Sequence, residues 1–170
     1  MWNIVVLMVL MAVTGVLTLR TSAALVTAQG NLASTTAAEM GIYRAAVIDY
    51  FSDNDVVATQ VNTAALKRGG YLPRWSRMYQ DAGELKWRNY RDADGVIYVY
   101  AARVANKHLA ESSLAAELAK LAHHSVLFGV YRSSTASLHP PSGGSTPVPP
   151  LALSGMSIQD GAPLWLAMRK

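Results

Sequence analysis

The hydrophobic pattern opens as an unbroken run. From Ile4 to Leu19 sixteen successive residues carry no charge, and Arg20 ends the run. As a helix it spans roughly 24 Å, against a bilayer core of about 30 Å. It crosses a membrane if Trp2 sits at one headgroup level and Thr21 to Val26 complete the span. Residues 1–28 therefore read as a transmembrane anchor or a signal segment, with residues 2–24 meeting the bilayer. Ser22-Ala23-Ala24 and Val26-Thr27-Ala28 offer small residues for cleavage. A signal peptide carries a basic n-region, and here only the α-amine precedes the run, which favours the retained anchor. Arg20 on its own votes for a cytoplasmic C-terminal side by the positive-inside rule.

The period then changes. "QGNLASTT" (29–36) reads as a polar joint, and Thr36-x-x-Glu39 as a capping box opening a helix over about 37–51. Met40, Tyr43, Val47 and Tyr50 recur at spacings of three and four and form its apolar face. Ser52-Asp53-Asn54-Asp55 stops it. Residues 56–66 fit a short helix or a strand, Gly69-Gly70 and Leu72-Pro73 mark a turn, and 74–91 show weak periodicity. "GVIYVYAAR" (95–103), after the turn pair Asp94-Gly95, is the clearest strand. Leu114, Leu118 and Leu121 stripe a helix over about 113–123, and "SVLFGVYR" (125–132) is a second strand. Residues 133–150 are rich in Pro, Gly and Ser and read as a flexible loop or linker. The C-terminal segment 151–170 ends in "APLWLAMRK", a closing strand. The class is α+β: an N-terminal membrane or signal helix, then a small antiparallel sheet with helices packed on one face, its core in residues 29–132.

Composition narrows the chemistry. The 170 residues hold no cysteine, which removes disulfides, thiolate metal sites and cysteine nucleophiles. A net charge of +4 leaves nucleic acid, anionic lipid and acidic proteins as partner classes. The cations gather in a basic, aromatic middle over 67–91. Arg68, Arg74, Arg77, Lys86, Arg88 and Arg91 are the candidate interaction surface, interleaved with Trp75, Tyr79, Trp87 and Tyr90. Cations and flat rings suit single-stranded nucleic acid or another anionic surface. Asp81, Glu84 and Asp92 dilute the patch, and the plainer reading is a solvated surface with both tryptophans anchored in the core.

His108, His123 and His124 are a poor metal set, because adjacent helical histidines point about 100° apart. Asp49, Asp53 and Asp55 sit where acidic turn residues are ordinary. No phosphate-binding glycine loop or nucleophile elbow is present, and Gly143-Gly144 lies in the Pro-rich stretch. Catalytic residues, metal ligands and cofactors are accordingly expected to be none.

Met40, Tyr43-Arg44-Ala45-Ala46-Val47, Tyr50, Asn54, Leu72-Pro73 with Trp75, and Tyr98-Val99-Tyr100 together resemble the small PilM family of type IVb pilus clusters on conjugative plasmids and integrative elements. That family is distinct from the actin-like ATPase of the same name, for which this chain is too short and lacks the nucleotide motifs. The resemblance covers roughly residues 1–132. The family's Asn-Pro after its helix is Asn54-Asp55 here. The resemblance implies a membrane-associated, non-enzymatic accessory of pilus assembly. Its domain would lie in the periplasm, would contact other pilus assembly proteins and would seldom meet nucleic acid. A minor pilin is the related alternative, opposed by the lack of a basic leader and of any acidic residue before Glu39. Gly41 and the alanines of the first helix leave room for a homo-oligomer.

Overall fold

The computed structural model describes the backbone of residues 2–81, 86–102 and 111–168. Side chains are described from residue 27 onward, save at 111, 112 and 151. Among the described residues no helix is long and apolar enough to cross a membrane. The side chains of the apolar run at 4–19 lie outside that description.

One helix, α1 (Trp2–Asp53), occupies the first third of the chain. It passes unbroken through residues 29–36, where a joint was expected. Thr36 does not cap a helix start but lies fully buried within it. Thr35 turns its hydroxyl back onto the Asn31 carbonyl, 2.9 Å away. That bond satisfies the side chain without ending the helix. Alanine-rich stretches on either side favour helix, and burial of Ala33, Thr36, Ala37 and Met40 outweighs the local capping preference. The expected apolar face is confirmed: Met40, Tyr43 and Val47 are buried, and Tyr50 packs half-buried at its end.

The ambiguous stretch after α1 resolves into an extended piece and a short helix, α2 (Thr63–Arg68), capped by Asn62, whose Oδ1 accepts from the Ala65 N–H. The strands are β1 (Trp87–Arg91), β2 (Val96–Ala101), β3 (Phe128–Arg132), β4 (Ser137–His139), β5 (Thr146–Pro147) and β6 (Pro163–Met168). Helix α3 (Glu111–Leu121) connects β2 to β3, and α4 (Pro150–Ser154) precedes β6. All pairings are antiparallel, in the order β1-β2-β6-β3-β4-β5. The expected closing strand is thus β6, inserted at the centre between β2 and β3.

Two expectations are corrected here. The Pro/Gly/Ser-rich stretch is not an unpacked linker: β4 and β5 add two strands to the sheet, Leu138 is fully buried and Val148 nearly so. Nor do helices occupy one face alone. Strand β2 alternates, sending Ile97, Val99 and Ala101 towards α1 and α3, and Tyr98 and Tyr100 to the other side. There Ala152 of α4, Val148 and Met156 close a second core with Tyr90, Tyr131, Leu138 and Leu164. Both faces of β2 are buried, which is why its sequence reads as an uninterrupted apolar run.

Strand β1 was hidden in the weakly periodic middle. Its hairpin with β2 is fixed by Asp92, whose Oδ1 accepts from the Val96 N–H and whose Oδ2 accepts from the Tyr98 hydroxyl. Gly95, at φ 85°, supplies the left-handed turn residue.

Candidate functional site

Strand β1 is an edge of the sheet, and its hydrogen bonds alternate. Lys86 O accepts from Ala102 N and Asp92 N donates to Val96 O, so residues of even number face β2. Odd-numbered residues turn their peptide groups outward. Arg91 shows this: its N–H and C=O pair with Thr59, the sole backbone bridge of the 56–62 segment to β1 among the described residues.

Asn89 stops that pairing from continuing. Its side chain points from the sheet towards α1 and is 1% exposed. Oδ1 accepts from the Val61 N–H (3.0 Å), while Nδ2 donates to the Val61 carbonyl (2.7 Å) and to the Tyr43 hydroxyl (2.7 Å). The carboxamide thus does for Val61 what a neighbouring peptide would do. Val61 itself packs into the core on the helical face of the sheet. Burial pushes the Tyr43 hydroxyl up to about 12, against the lowering effects of the Asn89 bond and Arg88.

Among the described residues the outward peptide groups of Trp87 and Asn89 make no backbone hydrogen bond, and both residues are buried, at 4% and 1% exposure. They border a groove of about 630 Å³, walled on the far side by Gln60, Val61, Asn62 and Met78. Lys86, Trp87, Arg88 and Asn89 all line it. Trp87 is 4% exposed, and its indole N–H has no acceptor. Lys86 and Arg88 are exposed at the rim and meet no carboxylate among the described residues. Asp81, also at the rim, is paired with Lys67 at 2.7 Å.

The six cations of the basic middle separate into different roles. Arg68, Arg74, Lys86 and Arg88 are exposed. Arg77 is half-exposed and approaches the buried Glu39 of α1, at 3.5 Å. Arg91 is not a surface residue: it is buried, donates to the Val56 carbonyl (2.9 Å) and to Asp55 (3.3 Å), and lies over the Phe51 ring. It fastens the end of α1 to β1. The tryptophans split likewise, with Trp87 in the core and Trp75 72% exposed. One continuous stacking platform is therefore absent among the described residues.

His123 and His124 form the left-handed turn that ends α3, at φ 51° and 55°, and both are exposed. His108 lies outside the described residues. Among the described residues no three metal-ligating side chains converge. Asp53 accepts from the Tyr71 hydroxyl at 2.9 Å, Asp55 meets Arg91, and Asp49 is exposed. Asp53 and Asp55 thus serve separate contacts.

The profile of the PilM family matches residues 8–166. The chain belongs to the PilM family. Membership points to a pilus-related role, and the match extends through the Pro-rich stretch to β6, well past the residues that carry the sequence resemblance. Comparison with curated proteins and with solved structures finds no match. The residues of this PilM-family chain that sequence reasoning missed are Asn89 and the β1 edge. Asp94-Gly95 was the available signal, since a hairpin turn before a strong strand demands a strand on its other side.

Proposed function

We propose that this PilM-family chain is a non-enzymatic accessory of type IVb pilus assembly, distinct from the actin-like ATPase that shares the family's name. It works by protein–protein contact. Its apolar N-terminal segment holds it at the inner membrane, and its α+β domain faces the periplasm. The family match over residues 8–166 carries this reading.

Reporter fusions after Lys170 test the reading. A reporter active only in the periplasm is expected to work, and one active only in the cytoplasm is expected to fail. The reverse pattern would contradict a periplasmic assembly factor and make the vote of Arg20 decisive.

A further inference from the structure

We infer that the turn at 73–76 is a contact point for an acidic partner protein, with the Trp75 indole as its apolar element and Arg74 as its charged one. The inference rests on the reading that the domain acts through protein contacts, and it names the surface and the kind of partner.

Three observations converge. The first is the rigidity of the turn. The Ser76 N–H donates to the Pro73 carbonyl at 3.0 Å. Its hydroxyl donates to the same oxygen at 2.7 Å and accepts from the Tyr79 N–H at 3.2 Å. Leu72, Ser76 and Met78 are buried on either side of the corner. Proline fixes the backbone at its entry. Arg74 and Trp75 are therefore the two corner residues of a turn held to the core at both ends, and little ordering cost falls on the backbone when a partner binds.

The second is what the corner displays. Trp75 is 72% exposed, whereas Trp87 and Trp165 are buried. Trp165 stacks on Phe128 and under Arg44, and Trp87 belongs to the main core, but Trp75 joins neither core nor any ring contact among the described residues. The fold thus makes no use of the indole. A large flat ring on a rigid turn, with an arginine beside it, is the combination that dominates binding energy at protein interfaces.

The third is charge. Residues 67–80 hold Lys67, Arg68, Arg74 and Arg77 and no acid. The carboxylates that reach this stretch are engaged: Asp81 with Lys67, Glu39 with Arg77 and Asp53 with the Tyr71 hydroxyl. Arg68 and Arg74 are exposed and meet no carboxylate among the described residues. The surface left over is positive, which suits aspartate and glutamate on a partner and sets two copies of this chain against each other. The turn also stands away from a bilayer that holds the apolar run. It lies between Tyr71, bonded to Asp53, and Arg77, paired with Glu39. Along an upright α1, Glu39 is about 20 Å beyond Val26, against a headgroup layer of roughly 5–7 Å. The occupant is therefore a protein surface that carries carboxylates around an apolar pocket for the indole.

The test uses the full chain in its own cells, with the photo-crosslinking residue p-benzoylphenylalanine placed at position 75 and, as background, at the exposed position 146 on β5. Irradiation is expected to join position 75 to one other protein, identified by mass spectrometry, through a peptide that contains Asp or Glu. The yield is expected to fall at least tenfold when Arg74→Glu is added. Trp75→Ala is expected to cut pilus number at least tenfold at an unchanged melting temperature, and Trp75→Phe to retain most pili. Absence of an adduct at position 75, the same adduct from position 146, or an adduct indifferent to Arg74→Glu would overturn the proposal. So would a dimer of this chain, which would make a second copy the occupant, or a lipid adduct, which would make it the membrane. Pili lost on deletion of the gene but kept in Trp75→Ala would sink the contact and leave the pilus role standing. Pili unchanged by the deletion would sink the pilus role, and the cross-link would then decide the contact on its own.

Discussion

Replacing Asn89 with Leu tests the logic of the site most sharply. Leu fills nearly the same volume, so packing changes little, while three hydrogen bonds disappear. Val61 N–H and C=O lose their partners while only 6% exposed. Each buried polar group left unsatisfied costs about 1–3 kcal/mol. The adjoining groove admits water, which places the pair at the low end, near 3 kcal/mol in total. For a chain of this size that lowers the melting temperature by about 6–12 °C. Tyr43→Phe is the comparison. It removes one acceptor of Asn89 Nδ2, which keeps its bond to Val61, and should cost about 1 kcal/mol. Near-UV circular dichroism through thermal unfolding reads both, and amide exchange at Thr59 and Val61 reads the local effect. In the leucine variant these amides are expected to exchange at least tenfold faster. If Asn89→Leu costs no more than Tyr43→Phe, or leaves exchange at Val61 unchanged, the carboxamide does not hold the segment and the reasoning fails.

Three further outcomes follow from the same contacts. Arg91→Ala should cost about 2–3 kcal/mol by denaturant titration, through loss of its bonds to Val56 and Asp55, whereas Arg74→Ala and Arg88→Ala should stay within about 0.5 kcal/mol. Gly129→Ala should destabilise by about 2 kcal/mol or more, since a Cβ there would collide with the His139 carbonyl across β3–β4; unchanged thermal stability would show that the strands can separate at no cost. Burial raises the Tyr43 hydroxyl to about 12 and pushes the Tyr98 hydroxyl up as well, helped by Asp92. The unfolded chain then loses these protons first, so stability should hold below about pH 10 and fall as pH climbs towards 12, less steeply in Tyr43→Phe. Tyrosinate absorbance coincident with unfolding checks this.

The elements most legible in the sequence were those whose pattern one environment imposes. The β2 run is buried on both faces, and the stripe of Met40, Tyr43 and Val47 faces one core, so both declared themselves. Strand β1 did not, because its inward positions are Trp87, Asn89 and Arg91, a tryptophan and two buried polar residues. Buried polar side chains read as surface unless their partners are known, and those partners, Val61, Tyr43 and Val56, are 28 to 46 residues away. The same blindness placed Arg91 among exposed cations. The Pro-rich stretch misled for the opposite reason. Its composition describes an edge protected against pairing as well as it describes a linker, and only the pairing of Ser137 and Leu138 with β3 and β5 distinguishes them. The helix across 29–36 was obscured because Thr36 is a favoured cap in isolation, and its burial comes from the rest of the fold.

The most direct measurement is a count of pili and of conjugative transfer, on solid and in liquid medium, in a strain lacking this gene. The account predicts that pili and liquid-medium transfer are lost and that the wild-type chain restores both. Pilus number and transfer unchanged by the deletion would contradict it.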